Sequence, residues 1–135
     1  MFDQLKVYAA TFAGFLAVDL VWLALTARGF YKKHLGYLMA DTPVWWAALA
    51  FYFLFIAGLQ VFVIQPALQS GSWTSVLLRG ALFGLVTYGT YDLTNLATIK
   101  DWPWFVSLVD MVWGAFLAAA AAGSGFAVGR WIGLR

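Results

Sequence analysis

The chain has 135 residues, of which 64% are hydrophobic and only 10% are charged, whereas soluble domains carry about 25% charged residues. It contains no cysteine, which excludes disulfides, thiol nucleophiles and iron–sulfur clusters held by its own residues. The formal net charge of +2 comes from few ionisable groups and favours loops near lipid head groups over a nucleic-acid surface. The composition therefore predicts a polytopic membrane protein, and we expect a multi-pass protein of a bacterial inner membrane.

Four apolar runs predict four transmembrane helices, at residues 7–27, 44–64, 76–99 and 104–128. Each run exceeds the roughly 17 residues that cross the hydrocarbon layer as a helix. Helix is required, because any other open backbone would leave polar groups unpaired in lipid. We therefore expect an all-α fold in which residues 1–135 form a single transmembrane domain, an antiparallel bundle of four helices with both termini on the same side.

The ends of these spans carry many aromatic residues, as expected of side chains that prefer the membrane interface. Eight of them are assigned to this role: Tyr31, Tyr37, Trp45, Trp46, Trp73, Trp102, Trp104 and Trp131. Residues 28–42, between the first two spans, are expected to lie along the interface as a short amphipathic segment that could act as a lid. Its apolar side chains, including Phe30, Tyr31, Leu35 and Leu38, are expected to point toward lipid.

The third span contains Gly80 and Gly84 in a GxxxG pattern, which permits close approach of another helix. The sequence does not say whether that helix belongs to this chain or to a second copy. A homo-oligomer through Gly80 and Gly84 is therefore a candidate.

Three aspartates interrupt the apolar runs: Asp19, Asp92 and Asp110. A charged side chain at the centre of a membrane helix costs about 2.5 to 3.5 kcal/mol on insertion scales, so intramembrane carboxyls tend to mark functional sites. Counted along the predicted helices, all three lie roughly 9 to 12 Å from the membrane surface opposite the termini. The sequence therefore predicts one acidic layer, and we take these residues as candidate catalytic groups.

Other side chains are expected at the same depth. Tyr52 of the second span lies at this level, and Tyr88 and Asn95 share one helix face with Asp92. Asp19 and Asp110 each precede a tryptophan by three residues, Trp22 and Trp113, so that each carboxyl shares a face with an indole ring. We expect the two rings to wall the acidic layer from opposite flanks.

The membrane surface nearest the acidic layer carries four basic residues, Arg28, Lys32, Lys33 and Lys100. Four basic residues also fall on the opposite side, so charge counting does not fix the orientation, although the dense group at residues 28–33 favours a cytoplasmic location for its side. These four residues are candidate ligands for an anionic lipid head group.

Several segments resemble the domain-of-unknown-function family 2177 of bacterial membrane proteins. The similar segments are Phe30-Tyr31, Leu35 to Met39, Phe51-Tyr52, Gly58 to Val63, Gly80 to Gly84, Tyr88 to Lys100, Trp102-Pro103 and Asp110 to Gly114. The resemblance implies a four-helix inner-membrane protein and a link to lipid-modification genes. It brings no established activity and no assigned catalytic residues.

The acidic layer has three interpretations. Several buried carboxyls close together cannot all ionise, so they would share protons, and a site for a lipid or other amphiphile with acid–base chemistry is our first prediction. Transport of protons or cations, and a purely structural role in helix packing, are the alternatives. No metal and no cofactor is expected, membrane lipids are the expected partners, nucleic acid is not, and the sequence leaves open whether the protein is an enzyme.

Overall fold

The fold is built from helices, as the computed structural model shows for residues 1–135 apart from the side chain of Ala27. No strand occurs among these residues. The helices are α1 (Phe2–Trp22), α2 (Arg28–Leu35), α3 (Trp45–Leu59), α4 (Gln65–Ser70), α5 (Trp73–Thr98) and α6 (Trp104–Trp131). The all-α prediction is confirmed.

Helix α1 buries one stripe of side chains at every fourth position: Val7, Thr11, Phe15 and Asp19. This spacing places the four side chains on one face of the helix. The chain then passes through a π-helical turn, Leu23–Ala27, directly into α2. The stripe therefore carries Asp19 into the interior of the protein, and the turn leads to the short helix that follows.

The second long helix extends past the predicted end of its span. We expected it to stop at Ile64, before Gln65 and Pro66, but α3 continues through a π-helical turn at Gln60–Ile64 into α4. Pro66 lies in the first turn of α4, where the missing N–H of proline is tolerated. Gly71, in the left-handed conformation with φ of 65°, and Ser72 form the two-residue link to α5.

Helix α6 packs against both α1 and α5 through small residues. A Cβ atom at Gly80 would lie 2.9 Å from the Cα atom of Ala119, and one at Gly84 would lie 2.8 Å from the Cβ atom of Ala118. The GxxxG pattern therefore contacts α6 of the same chain, and the assignment of Gly80 and Gly84 to a homo-oligomer is corrected. Their face is covered, so a second copy would need another surface.

Three helical segments are long and apolar enough to cross a membrane: Phe2–Thr26, Trp45–Ser70 and Trp104–Trp131. Helix α5 has 26 residues, which is sufficient length, but Arg79, Asp92 and its threonines and tyrosines make it less apolar than the other three. The prediction of a membrane protein with apolar helices agrees with these segments.

Candidate functional site

Three aspartates from different helices lie close together, and we call Asp19, Asp92 and Asp110 the acidic cluster. Their carboxyl groups come from α1, α5 and α6, and Asp110 interacts with both of the others. Three tyrosine hydroxyls face the acidic cluster, from Tyr31 of α2, Tyr52 of α3 and Tyr88 of α5. Each helix that surrounds the cluster thus contributes a polar side chain to it.

Asp19 is paired with donors from two other helices. Its side chain is 9% exposed, and the Tyr52 hydroxyl donates to its Oδ2 atom over 3.3 Å. The indole N–H of Trp113 also lies within hydrogen-bonding reach. These contacts meet the hydrogen-bonding demand of a carboxyl group that has little access to water.

Asp92 has a buried side chain without a donor. It is 0% exposed, and neither Oδ1 nor Oδ2 accepts a hydrogen bond from the described residues. The Asp110 carboxyl is the polar group within hydrogen-bonding reach. The Asp92 backbone, in contrast, is fixed, because its carbonyl accepts from Ser107 Oγ over 3.1 Å and that hydroxyl accepts from Trp102 Nε1 over 2.9 Å.

Trp102 was expected at the membrane interface, and the structure shows that its ring is buried within the protein. Its side chain is 9% exposed and points inward to Ser107. The reason is the Trp102-Pro103 step, at which the chain turns from α5 into α6 and brings the indole between the two helices. The ring thus positions the backbone of the acidic cluster.

Asp110 accepts a hydrogen bond from the hydroxyl of Tyr31. We expected Tyr31 to point toward lipid, and the structure corrects this: α2 packs on the start of α6 through Phe30, His34 and Phe105, and this contact turns Tyr31 inward. Burial, followed by the Asp110 carboxylate, raises the pKa of Tyr31 above its usual value. The hydroxyl therefore keeps its proton and acts as a donor.

Trp22 and Trp113 form a stacked pair, with ring centroids 4.4 Å apart and an interplanar angle of 13°. We had predicted that the two rings lie on opposite flanks of the acidic layer, and they do not. Because α1 and α6 run antiparallel, each tryptophan reaches the level of the aspartate on the other helix, and the two rings meet. They form one continuous aromatic wall beside the acidic cluster.

An apolar cavity of about 480 Å³ has Asp110 in its lining. We call it the lateral cavity, because it lies between α3 and α5 and its outer residues Phe51 and Tyr91 are exposed on the surface of the protein. Its lining consists of Phe51, Phe55, Thr87, Tyr88, Tyr91 and Asp110. A largely apolar cavity with a single carboxyl group has the volume and chemistry of a small-molecule site.

Some predicted site residues lie outside the cluster. Asn95 is half-buried, and no hydrogen bond from its amide to a carboxyl is seen among the described residues. Arg28 and Lys32 line a separate, more polar cavity of about 660 Å³, whereas Lys33 and Lys100 are simply exposed. Within the described part of the chain, no three His, Cys, Asp or Glu side chains converge as a metal site.

Gly114 explains how Tyr88 fits beside the cluster. A Cβ atom at this glycine would lie 2.7 Å from Cδ1 of the Tyr88 ring, so only glycine leaves room for the ring against α6. The sequence Asp110-Met111-Val112-Trp113-Gly114 thus supplies a carboxyl, an indole and the space for the Tyr88 ring within five residues.

A family model described as "Predicted membrane protein (DUF2177)" matches residues 4–127, as the resemblance implied. Neither a curated protein nor a solved structure shows a significant match to this chain. The family description carries no activity, so function must be argued from the site. The chain belongs to the DUF2177 family of predicted membrane proteins.

Proposed function

We propose that the protein binds a membrane lipid or related amphiphile in the lateral cavity and holds its chain against Asp110. The observation that carries this proposal is an apolar cavity of about 480 Å³ that lies between two helices and has one carboxyl group in its lining. Ligand sites of this volume are typically apolar with a few placed polar groups. An apolar chain would enter sideways from the membrane without passing through water.

The proposal includes a topology of four membrane crossings, with both termini on the same side of a bacterial inner membrane. Helix α5 is taken as the fourth crossing because its charged side chain Asp92 is buried, while many of its exposed positions are apolar, including Leu78, Leu82, Val86 and Leu93. It also packs along α6 from Gly80 to Gly89. A helix of this kind can lie in lipid despite its polar content.

The side chains around Asp110 permit acid–base chemistry on the bound chain. In an unsaturated amphiphile, a protonated carboxyl could add a proton to one carbon of the double bond while a carboxylate removes a proton from the carbon beside the other end, which moves the double bond by one position. This proton shift consumes no oxidant, reductant or co-reactant. Tyr31 supports such a role for Asp110, because its hydroxyl donates to that carboxylate.

Transport of protons or cations receives less support. Beyond the acidic cluster, the buried side chains between the helices are mostly apolar, such as Phe15, Leu59 and Phe126, each exposed by 1% or less. A relay would have to cross this layer, and charged groups there would be costly.

The amphiphile proposal is tested by filling the cavity. Thr87→Trp places an indole in the lateral cavity, whereas Thr90→Trp adds the same group to an exposed position of the same helix. Both threonines donate to the carbonyl four residues earlier, so each variant loses a hydroxyl-to-backbone bond within α5. Purified proteins are incubated with bacterial lipid extract, and retained lipids and their double-bond positions are analysed by mass spectrometry.

Wild type and Thr90→Trp are expected to retain an enriched lipid. Thr87→Trp is expected to retain about tenfold less of that lipid, which corresponds to about 1.4 kcal/mol of binding free energy. Equal retention by all three proteins, or no enriched lipid on any of them, would contradict the proposal. A retained lipid with an unchanged double bond would support binding and exclude the proton shift for that lipid.

A further inference from the structure

We infer that Asp92 and Asp110 share one proton, with Asp92 as the buried residue that holds it and Asp110 as the member that faces the lateral cavity. Asp92 is thus a positioning residue for Asp110. The pairing itself follows from the packing of α5 against α6, and only the role of Asp110 toward a bound chain rests on the proposed function.

The state of Asp92 follows from what surrounds its side chain. The residue is 0% exposed, and both of its carboxyl oxygens are inaccessible and receive no hydrogen bond from the described residues. An ionised carboxylate in that position would be an unpaired buried charge, which costs far more than a buried neutral group. A protonated Asp92 avoids this cost, provided that it can donate its proton to an acceptor.

The Asp110 carboxyl supplies that acceptor. It lies within hydrogen-bonding reach of Asp92 and already accepts from the Tyr31 hydroxyl, so it has two donors if Asp92 is protonated. Asp19 and Tyr88 also face this pair, from α1 and α5. Asp19 has its own donor in Tyr52, which leaves Asp92 as the carboxyl that depends on Asp110.

Chain contacts fix the distance within the pair. The Asp92 carbonyl is tied to Ser107 on α6, one turn of helix away from Asp110, and Trp102 holds the Ser107 hydroxyl. Asp92 is not part of the lining of the lateral cavity, whereas Asp110 is. The two carboxyls therefore differ in access: Asp110 can exchange a proton with a bound chain, and Asp92 can do so only through Asp110.

The first test is infrared spectroscopy of the protein in lipid bilayers. A protonated carboxyl has a C=O stretching band distinct from that of a carboxylate, and the band shifts in deuterated water. Asp92→Asn keeps the size and polarity of the side chain but cannot hold the proton, so this variant is expected to lose a component of the band. Asp41→Asn, at an exposed position, is the matched control and is expected to leave the band unchanged. A spectrum of Asp92→Asn identical to that of wild type would overturn the inference.

The second test uses wild-type protein and stays informative if Asp92→Asn does not fold. A hydrophobic carbodiimide reacts with protonated carboxyls in apolar surroundings, and mass spectrometry of the digested protein locates the adduct. We expect the adduct on Asp110 in wild type, because the shared proton can pass to Asp110 and only this member of the pair lines the lateral cavity. Labelling is expected to fall to the background of Asp41 in folded Asp92→Asn. An unlabelled Asp110 in wild type, or equal labelling in the variant, would refute the shared proton. Lipid retention is measured on the same samples, so that loss of binding and loss of the proton are told apart.

Discussion

At one end of the packed helices the backbones are in contact, whereas at the other end side chains fill the space between them. Gly80 and Gly84 press α5 against Ala118 and Ala119, and Gly129 of α6 admits Leu68 and Val7. We call this region the glycine end. Around the acidic cluster the same helices are separated by tyrosine and tryptophan rings, and a cavity remains between α3 and α5. The difference indicates that close packing is concentrated away from the cluster, which leaves the cluster end with room for a ligand.

The largest effect is expected from a substitution that disrupts the packing at the glycine end. Gly84→Leu would force a side chain into space where a Cβ atom already lies 2.6 Å from the Gly114 carbonyl carbon. Since backbone cannot move as a side-chain tip can, we expect a loss of more than about 3 kcal/mol in the free energy of unfolding. Unfolding in detergent micelles, followed by circular dichroism and size-exclusion chromatography, measures it.

Gly29→Leu is the control for this prediction, because nothing lies within 4 Å of a Cβ atom at that helical position. A Gly84→Leu protein as stable as Gly29→Leu would show that close backbone contact is not what holds this end together.

A smaller effect is expected from removing a hydrogen bond at the acidic cluster. Tyr31→Phe removes the hydroxyl that donates to Asp110, and hydrogen bonds to charged groups contribute about 1.5 to 3 kcal/mol. Helix α2 should then open more often, so amide hydrogens of Arg28–Leu35 should exchange about tenfold faster for each 1.4 kcal/mol lost. Hydrogen–deuterium exchange followed by mass spectrometry checks this.

Tyr37→Phe provides the comparison for Tyr31→Phe. Tyr37 donates to the backbone carbonyl of Asp101 over 2.9 Å at an exposed site, where a neutral bond contributes only about 0.5 to 1.5 kcal/mol. If both substitutions speed exchange equally, Tyr31 has no special role in fastening α2 to the acidic cluster.

The smallest effect is expected for the coupling between aromatic rings, which can be compared between the two ends. A double-mutant cycle on Trp22 and Trp113, each changed to alanine, should give a coupling free energy of about 0.5 to 1.5 kcal/mol for the stacked pair. Trp73 and Phe126, whose centroids are 4.8 Å apart at 72°, form the reference pair at the glycine end. Zero coupling between Trp22 and Trp113 would mean that the two rings only fill space.

Much of the fold follows from the sequence for a simple physical reason. Apolar runs longer than the hydrocarbon layer must be helical, and the all-α prediction rests on this alone. Counting residues from the ends of those runs also predicted that Asp19, Asp92, Asp110 and Tyr52 lie at one depth. In the structure the Tyr52 hydroxyl donates to Asp19, and Asp110 interacts with Asp19 and Asp92. Their chemical role stays a prediction.

Other parts of the site depend on contacts that periodicity does not encode. Tyr31 lies in a segment whose composition fits the interface, and only the docking of Phe30 and His34 on Phe105 turns it inward. The stacking of Trp22 on Trp113 depends on the offset between two antiparallel helices. The partner of Gly80 and Gly84 was likewise undetermined, because a GxxxG pattern fits a helix of either chain.

The link between α4 and α5 consists of Gly71 and Ser72, and the Ser72 hydroxyl caps α5 by accepting from the Ser75 amide over 3.1 Å. So short a connection holds the end of α4 close to the start of α5. The two helices that flank the lateral cavity cannot part where they are joined, so any widening of the cavity must grow with distance from Gly71. If the cavity binds an amphiphile as proposed, chains of different thickness would therefore be accommodated mainly near Phe51 and Tyr91, while the glycine contacts stay closed.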